Sequence, residues 1–163
     1  METDLTSIII GLASLAVFLV PIGYYQLHEK KGLKEVKKLF LKKADDLGFQ
    51  TGDIEILRNH AAIGMDKNHE ELLYLHENQF ELIELADVVH CSIYSNHKKD
   101  LDSGDGVIQQ IGIHMKLQKG LSIKLPIFEG KEGTLFGDER LITQHWIGKI
   151  NSAHNELDTA IKA

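Results

Sequence analysis

Nine histidines, one cysteine and 24 carboxylates are the side chains from which metal and acid–base chemistry would be built in this chain of 163 residues. The histidines are His28, His60, His69, His76, His90, His97, His114, His145 and His154. None forms the i, i+4 pair on a helix that a zinc protease motif requires. His145 and His154 share a helix face but stand about 13 Å apart at 1.5 Å per residue, too far to share an ion. His90 and Cys91 are neighbours on a strand and point to opposite faces. The lone Cys91 excludes a disulfide framework, and its apolar strand makes it a small buried hydrophobe. Ser103-Gly104 and Ser122 lack the strand-to-helix elbow of a serine nucleophile. Gly130-Lys131-Glu132-Gly133 lacks the spacing of a phosphate loop and reads as a connection. The carboxylate pairs Asp45-Asp46 and Glu70-Glu71 are sequence neighbours of the usual solvated kind. The residues therefore predict a non-enzyme with no catalytic, metal-binding or cofactor-binding residue and no cofactor.

What must position these side chains is set first by charge. Residues 1–27 hold only Glu2 and Asp4, a charge of −2. Residues 28–43 hold Lys30, Lys31, Lys34, Lys37, Lys38, Lys42 and Lys43 against Glu29 and Glu35, a charge of +5. That leaves eleven of the 18 basic and twenty of the 24 acidic residues for 44–163, a charge of −9. The overall −6 is thus a block pattern of the kind that sets membrane topology.

Leu5 to Leu27 is uncharged over 23 positions and includes Ile8, Ile9, Ile10, Leu12, Leu15, Val17, Phe18, Leu19, Val20 and Ile22. As a helix it reaches about 34 Å, enough for a hydrocarbon core of about 30 Å. Pro21 lies near its end, and Tyr24 and Tyr25 fall where an interfacial aromatic belt is expected. A cleaved signal peptide would want a basic start and a shorter apolar core; this start is acidic. Cytoplasmic flanks are rich in Lys, so the predicted topology is single-pass in the cell (inner) membrane. The N-terminus is then outside and the C-terminal domain cytoplasmic.

Residues 29–48 read as a basic amphipathic helix after an N-terminal tail and span over 1–28. Leu33, Val36, Phe40, Ala44 and Leu47 line one stripe, with Lys31, Lys34, Lys38 and Lys42 opposite and Gly48 as a stop. Lys30, Lys31, Lys34, Lys37, Lys38 and Lys42 are the candidate contacts to lipid headgroups; alternatively they only set topology while the stripe packs on the following domain. Nucleic acid is not an expected partner, because the following domain is strongly acidic.

From Gly52 the period falls to two. Strands are predicted over Asp53–Leu57, His60–Met65, Glu71–His76, Phe80–Leu85, Val88–Tyr94, Val107–Leu117 and Leu121–Ile127. Asp66-Lys67-Asn68 and His76-Glu77-Asn78-Gln79 are turns, and Ser95–Gly106 is a polar loop. After Gly137-Asp138, Ile142, Trp146, Ile150, Ala153, Leu157 and Ile161 recur at helical spacing. Of these, Ile142, Trp146, Ile150 and Leu157 mark the helix face expected to pack on the strands.

About seven antiparallel strands followed by one helix with an apolar Trp146 resemble the pleckstrin-homology-like (PH-like) fold, and more narrowly the PH-like domains that bacteria attach to membrane spans. Ala62-Ile63-Gly64-Met65-Asp66-Lys67-Asn68 before Leu72-Leu73-Tyr74-Leu75 looks like the second-to-third-strand hairpin of that family, over a resemblance that covers residues 50–155. It implies a β barrel over 49–163, closed by the helix, that binds or scaffolds protein partners at a membrane without catalysis. The family's phosphoinositide-binding members use a basic cluster between the first two strands. Here that stretch is Arg58-Asn59-His60, so that activity is not implied. The alternatives are a small-ligand barrel with Gln109 and His114 converging on a cavity, and a His-rich metal-dependent hydrolase.

Overall fold

The computed structural model describes residues 5–98, 107–130 and 137–162. The chain divides into two compact units, Met1–Glu35 and Val36–Ala163. A single helix α1 occupies Leu5–Asp46, uninterrupted between residues 28 and 29 and continuing past Pro21. Proline removes one backbone hydrogen bond at that point without ending the helix.

The first unit is the leading part of α1. Its side chains over residues 11–24 are exposed or nearly so, among them Val17 and Phe18 at 70% and 72%. An apolar helix whose side chains are exposed is the reverse of a buried core helix. The stretch Gly11–Asp46 of α1 has a mean hydropathy of 1.2 in its most apolar window and is long and apolar enough to cross a membrane.

In the second unit α1 ends in a Schellman motif. Gly48 adopts φ 71°, Phe49 N–H donates to the Ala44 carbonyl at 2.8 Å, and Gly48 N–H to that of Asp45 at 3.0 Å. This reversal brings Phe49 back beside Ala44 in one apolar cluster. Leu47, assigned to the stripe by periodicity, is exposed instead; Phe49, beyond the glycine, is buried in that cluster.

Four strands follow: β1 Thr51–Ile56, β2 Ala62–Asp66, β3 Glu71–His76 and β4 Gln79–Glu84, antiparallel in that order. The two-residue turn Glu77-Asn78 has positive φ at both positions, the type I′ geometry that suits a twisted hairpin. The strands β5 Val88–Lys98, β6 Val107–Leu117 and β7 Ser122–Glu129 form a second antiparallel sheet. No ladder joins the two sheets among the described residues, so the expected closed barrel is corrected to two sheets of four and three strands. The physical cause lies at Leu85–Asp87, a 3-10 turn with Leu85 fully buried. Leu85 N–H donates to the Glu70 carbonyl, and this turn redirects the chain from one sheet to the other.

Ser95–Lys98 extends β5 rather than opening a loop, and residues 99–106 lie outside the described residues. These polar positions are strand because they pair with β6, Asn96 with Gln110 and His97 with Ile108, leaving Gln109 as a bulge. Helix α2, Glu139–Lys162, follows with Asp138 before it; Ile142 N–H closes the first turn on the Asp138 carbonyl. The Gly130–Gly133 connection lies, beyond Gly130, outside the described residues.

The central strands β2 and β3 are buried on both faces of the four-stranded sheet. Phe40, Ala44 and Phe49 cover one, against Ala62, Leu73 and Leu75. The other meets the second sheet and α2: Ile63, Met65 and Leu72 pack with Ile113, Met115, Leu125, Trp146 and Ile150. Gly64 leaves room for the Phe40 ring, since a Cβ there would lie 2.7 Å from it.

Asp66 fixes the β2–β3 connection. It is buried, and its carboxylate accepts from the N–H groups of Asn68, Glu70 and Glu71 at 3.1, 2.8 and 2.9 Å. Charge-assisted bonds of this kind are strong. Asp66→Ala is expected to cost about 2–4 kcal/mol in urea unfolding, and Asp66→Asn less, because the amide keeps one acceptor.

Candidate functional site

β1 has two packed faces. Ile54 and Ile56 lie against the α1 side, and Asp53 and Glu55 alternate toward α2. Trp146 Nε1 donates to Glu55 at 2.7 Å, and Lys149 Nζ bonds Asp53 at 2.6 Å while lying 5.1 Å from the Trp146 ring centre. Lys149 holds the Asp53 carboxyl below its ordinary value, first through that hydrogen bond and then through its charge. Arg58 pairs with Asp138 at 3.0 Å. These contacts fasten α2 to the sheet. Beside them lies an open depression walled by His69, His145, Ser152 and Glu156.

A second depression opens between the sheets on the side of Tyr74 and Tyr94. The alternation of β3 sends Tyr74 inward with Leu72, and its hydroxyl donates to the Pro126 carbonyl at 2.5 Å. Glu129 accepts from the Gln110 side chain and stands 3.6 Å from His76 Nε2, so it links β3, β6 and β7. Tyr94 pairs in register with Gly112, where a Cβ would fall 2.7 Å from its ring; glycine lets the ring lie along the sheet. Lys124 Nζ sits 5.5 Å from the centre of that ring. Burial, then the Glu129 charge, pushes the Tyr94 hydroxyl up to about 12. Burial raises Tyr74 as well, with further contributions from Tyr94, Glu129 and Glu81.

The nine histidines scatter. His28 stacks on Tyr24 at 6.3 Å, His154 Nδ1 lies 3.3 Å from the Leu85 carbonyl, and His90, His97 and His145 are exposed. His60 and His69 occupy turns at positive φ, so β2 starts at Ala62 rather than His60. Among the described residues no three His, Cys, Asp or Glu side chains group to hold a metal ion. Gln109 lines an open depression near Asn59 and His76, whereas His114 lies across the sheet between Ser92 and Lys124; the structure does not bring the two together. Lys30, Lys31 and Lys34 in the first unit, and Lys37, Lys38 and Lys42 in the second, are exposed; Lys43 lies over the Phe80 ring at 5.7 Å. Ile142, Trp146, Ile150 and Leu157 pack into the larger core. Asp45, Asp46 and Glu70 are exposed, while burial raises the carboxyl of half-buried Glu71. Ser103-Gly104 lies outside the described residues, and Ser122 is exposed.

Cys91 is buried at 4% exposure, and burial raises its thiol from 9.0 to about 12. The thiolate is the reactive form. At pH 8, disulfide-reagent labelling of the folded chain is expected to run about a thousandfold slower than in denaturant, and to quicken roughly tenfold per pH unit below the folded pKa.

The described residues define a class: an α+β chain with one N-terminal helix of membrane-spanning length and a two-sheet domain followed by a helix. Compared with protein-family models, curated proteins and solved structures, the chain matches none of them.

Proposed function

We propose that this chain is a non-catalytic, single-pass membrane protein that presents a cytoplasmic PH-like module to protein partners at the cell membrane. The observation that carries the anchoring is the exposure of Leu12, Leu15, Val17, Phe18, Leu19, Val20 and Ile22 on one helix, each more than half exposed. Water would penalise that surface by roughly 25 cal/mol per Å², and lipid removes the penalty. Lys30, Lys31 and Lys34 follow the apolar stretch within two turns, which supports retention of this flank on the cytoplasmic side. The PH-like reading draws support from the order of four strands, three strands and a closing helix with buried Trp146. A scaffolding role fits side chains that hydrogen-bond to hold elements together: Asp53, Glu55, Asp66 and Tyr74 are all engaged in this way.

Affinity purification of the tagged full chain from detergent-solubilised membranes tests the scaffold reading. A partner retained in fixed stoichiometry, and lost when residues 36–163 are replaced by an unrelated soluble domain, is the expected result. Retention of the same proteins by the replaced chain would sink it.

A further inference from the structure

A cleft lies between β3–β4 and the face of β5–β7. It encloses about 290 Å³, the size of a side chain or a small amine. Tyr74, Tyr94, Glu81, Glu129, Gln110 and Lys124 line it, contributed by five strands. It shares Gln110, His76 and Glu129 with a neighbouring depression bordered by Glu77. Glu81 and Glu129 share the cleft with one lysine, and their charge reaches the phenols: Glu129 acts on Tyr74 and Tyr94, and Glu81 on Tyr74. The cleft already holds a cation, since the Lys124 ammonium lies over the Tyr94 ring. Ring faces attract ammonium and guanidinium groups. Glu129 is braced by Gln110 through one oxygen and stands 3.6 Å from His76 Nε2 through the other.

We propose that this cleft binds an organic cation, the ammonium or guanidinium group of a ligand, between Glu129, Glu81 and the Tyr94 ring, with Lys124 as the tethered internal competitor that the ligand displaces. The Glu81 and Glu129 carboxylates disfavour phosphate and carboxylate ligands beside the Tyr94 ring. The inference goes beyond the scaffold reading and stands without it. A free diamine and an arginine side chain of a protein segment share this chemistry.

The test uses the full chain in lipid nanodiscs and follows the Gln110 side-chain amide and Glu129 backbone amide by NMR. 1,4-Diaminobutane, acetyl-arginine methylamide and acetyl-glutamate methylamide are titrated to millimolar concentration. Saturable shifts with a cationic probe and none with the glutamate probe are expected. Tighter binding of the diamine assigns a free amine, and tighter binding of the arginine probe assigns a protein segment. Lys124→Met should tighten binding roughly fivefold by removing the competitor, and Glu129→Gln should weaken it roughly tenfold. Glu81→Gln serves if Glu129→Gln does not fold. Equal response to the glutamate probe, no response to either cation, or unchanged or weaker binding by Lys124→Met would overturn the proposal.

Discussion

Replacing Leu15 and Phe18 together by arginine is expected to move the full chain from the membrane pellet to the supernatant. Both side chains are largely exposed on the apolar helix. On an insertion scale each aliphatic residue near the centre contributes about −0.3 to −0.6 kcal/mol, and an arginine costs about 2.5–3.5 kcal/mol. The dozen Leu, Ile, Val and Phe residues of Leu5–Leu27 therefore supply about 4–7 kcal/mol, which two arginines offset in full. A pair of leucine-to-alanine changes at Leu15 and Leu19 removes only about 1 kcal/mol and should leave the chain in the pellet. Fractionation after carbonate washing reads the difference. Persistence of the double-arginine chain in the pellet would mean that another surface holds it there.

Trp146→Ala is expected to be the most damaging single change in the second unit. Trp146 is 1% exposed and belongs to the core shared by both sheets and α2. Truncating a buried aromatic residue costs about 3–5 kcal/mol, a large part of the 5–15 kcal/mol that holds an ordinary domain together. Trp146→Phe separates the two contributions. It keeps most of the buried volume and removes the 2.7 Å bond to Glu55, so its cost should be smaller. Urea unfolding followed by circular dichroism measures both. A loss below about 1 kcal/mol for the alanine variant would contradict the packing described. Phe40→Ala on the opposite face of the same sheet provides a comparison, because Phe40 is also fully buried.

The sequence was most legible where apolar runs or alternation are bracketed by polar residues and short turns. Glu71–His76 and Val107–Leu117 were readable to the residue, the first as the continuous apolar run Leu72-Leu73-Tyr74-Leu75 between polar ends, the second because Ile111, Ile113, Met115 and Leu117 recur every second place. The continuation of β5 through Ser95–Lys98 was not, since those side chains carry no apolar signal and the segment is held by its ladder with β6. Two sheets instead of a barrel was equally hidden: which strand edge pairs with which depends on distant partners, not on local periodicity. The alternation Asp53-Ile54-Glu55-Ile56 marked a strand but gave no hint that its acidic face meets Trp146 and Lys149, which lie more than ninety positions away. The cleft was invisible for the same reason. Tyr74, Tyr94 and Glu129 each look like ordinary strand residues until the sheets bring them together. A reader of the sequence could have noticed only that inward positions of β3 include a tyrosine, whose hydroxyl demands a partner when buried.

The account rests on one helix crossing the membrane with residues 36–163 in the cytoplasm, and cysteine labelling tests that most directly. Native Cys91 is buried and leaves a quiet background for single added cysteines. Thr3→Cys and Lys67→Cys chains in intact spheroplasts are treated with a membrane-impermeant maleimide, before and after permeabilisation. The predicted result is labelling of the Thr3→Cys chain in intact cells and of the Lys67→Cys chain only after permeabilisation. Labelling of Lys67→Cys in intact cells, with Thr3→Cys protected, would contradict the account.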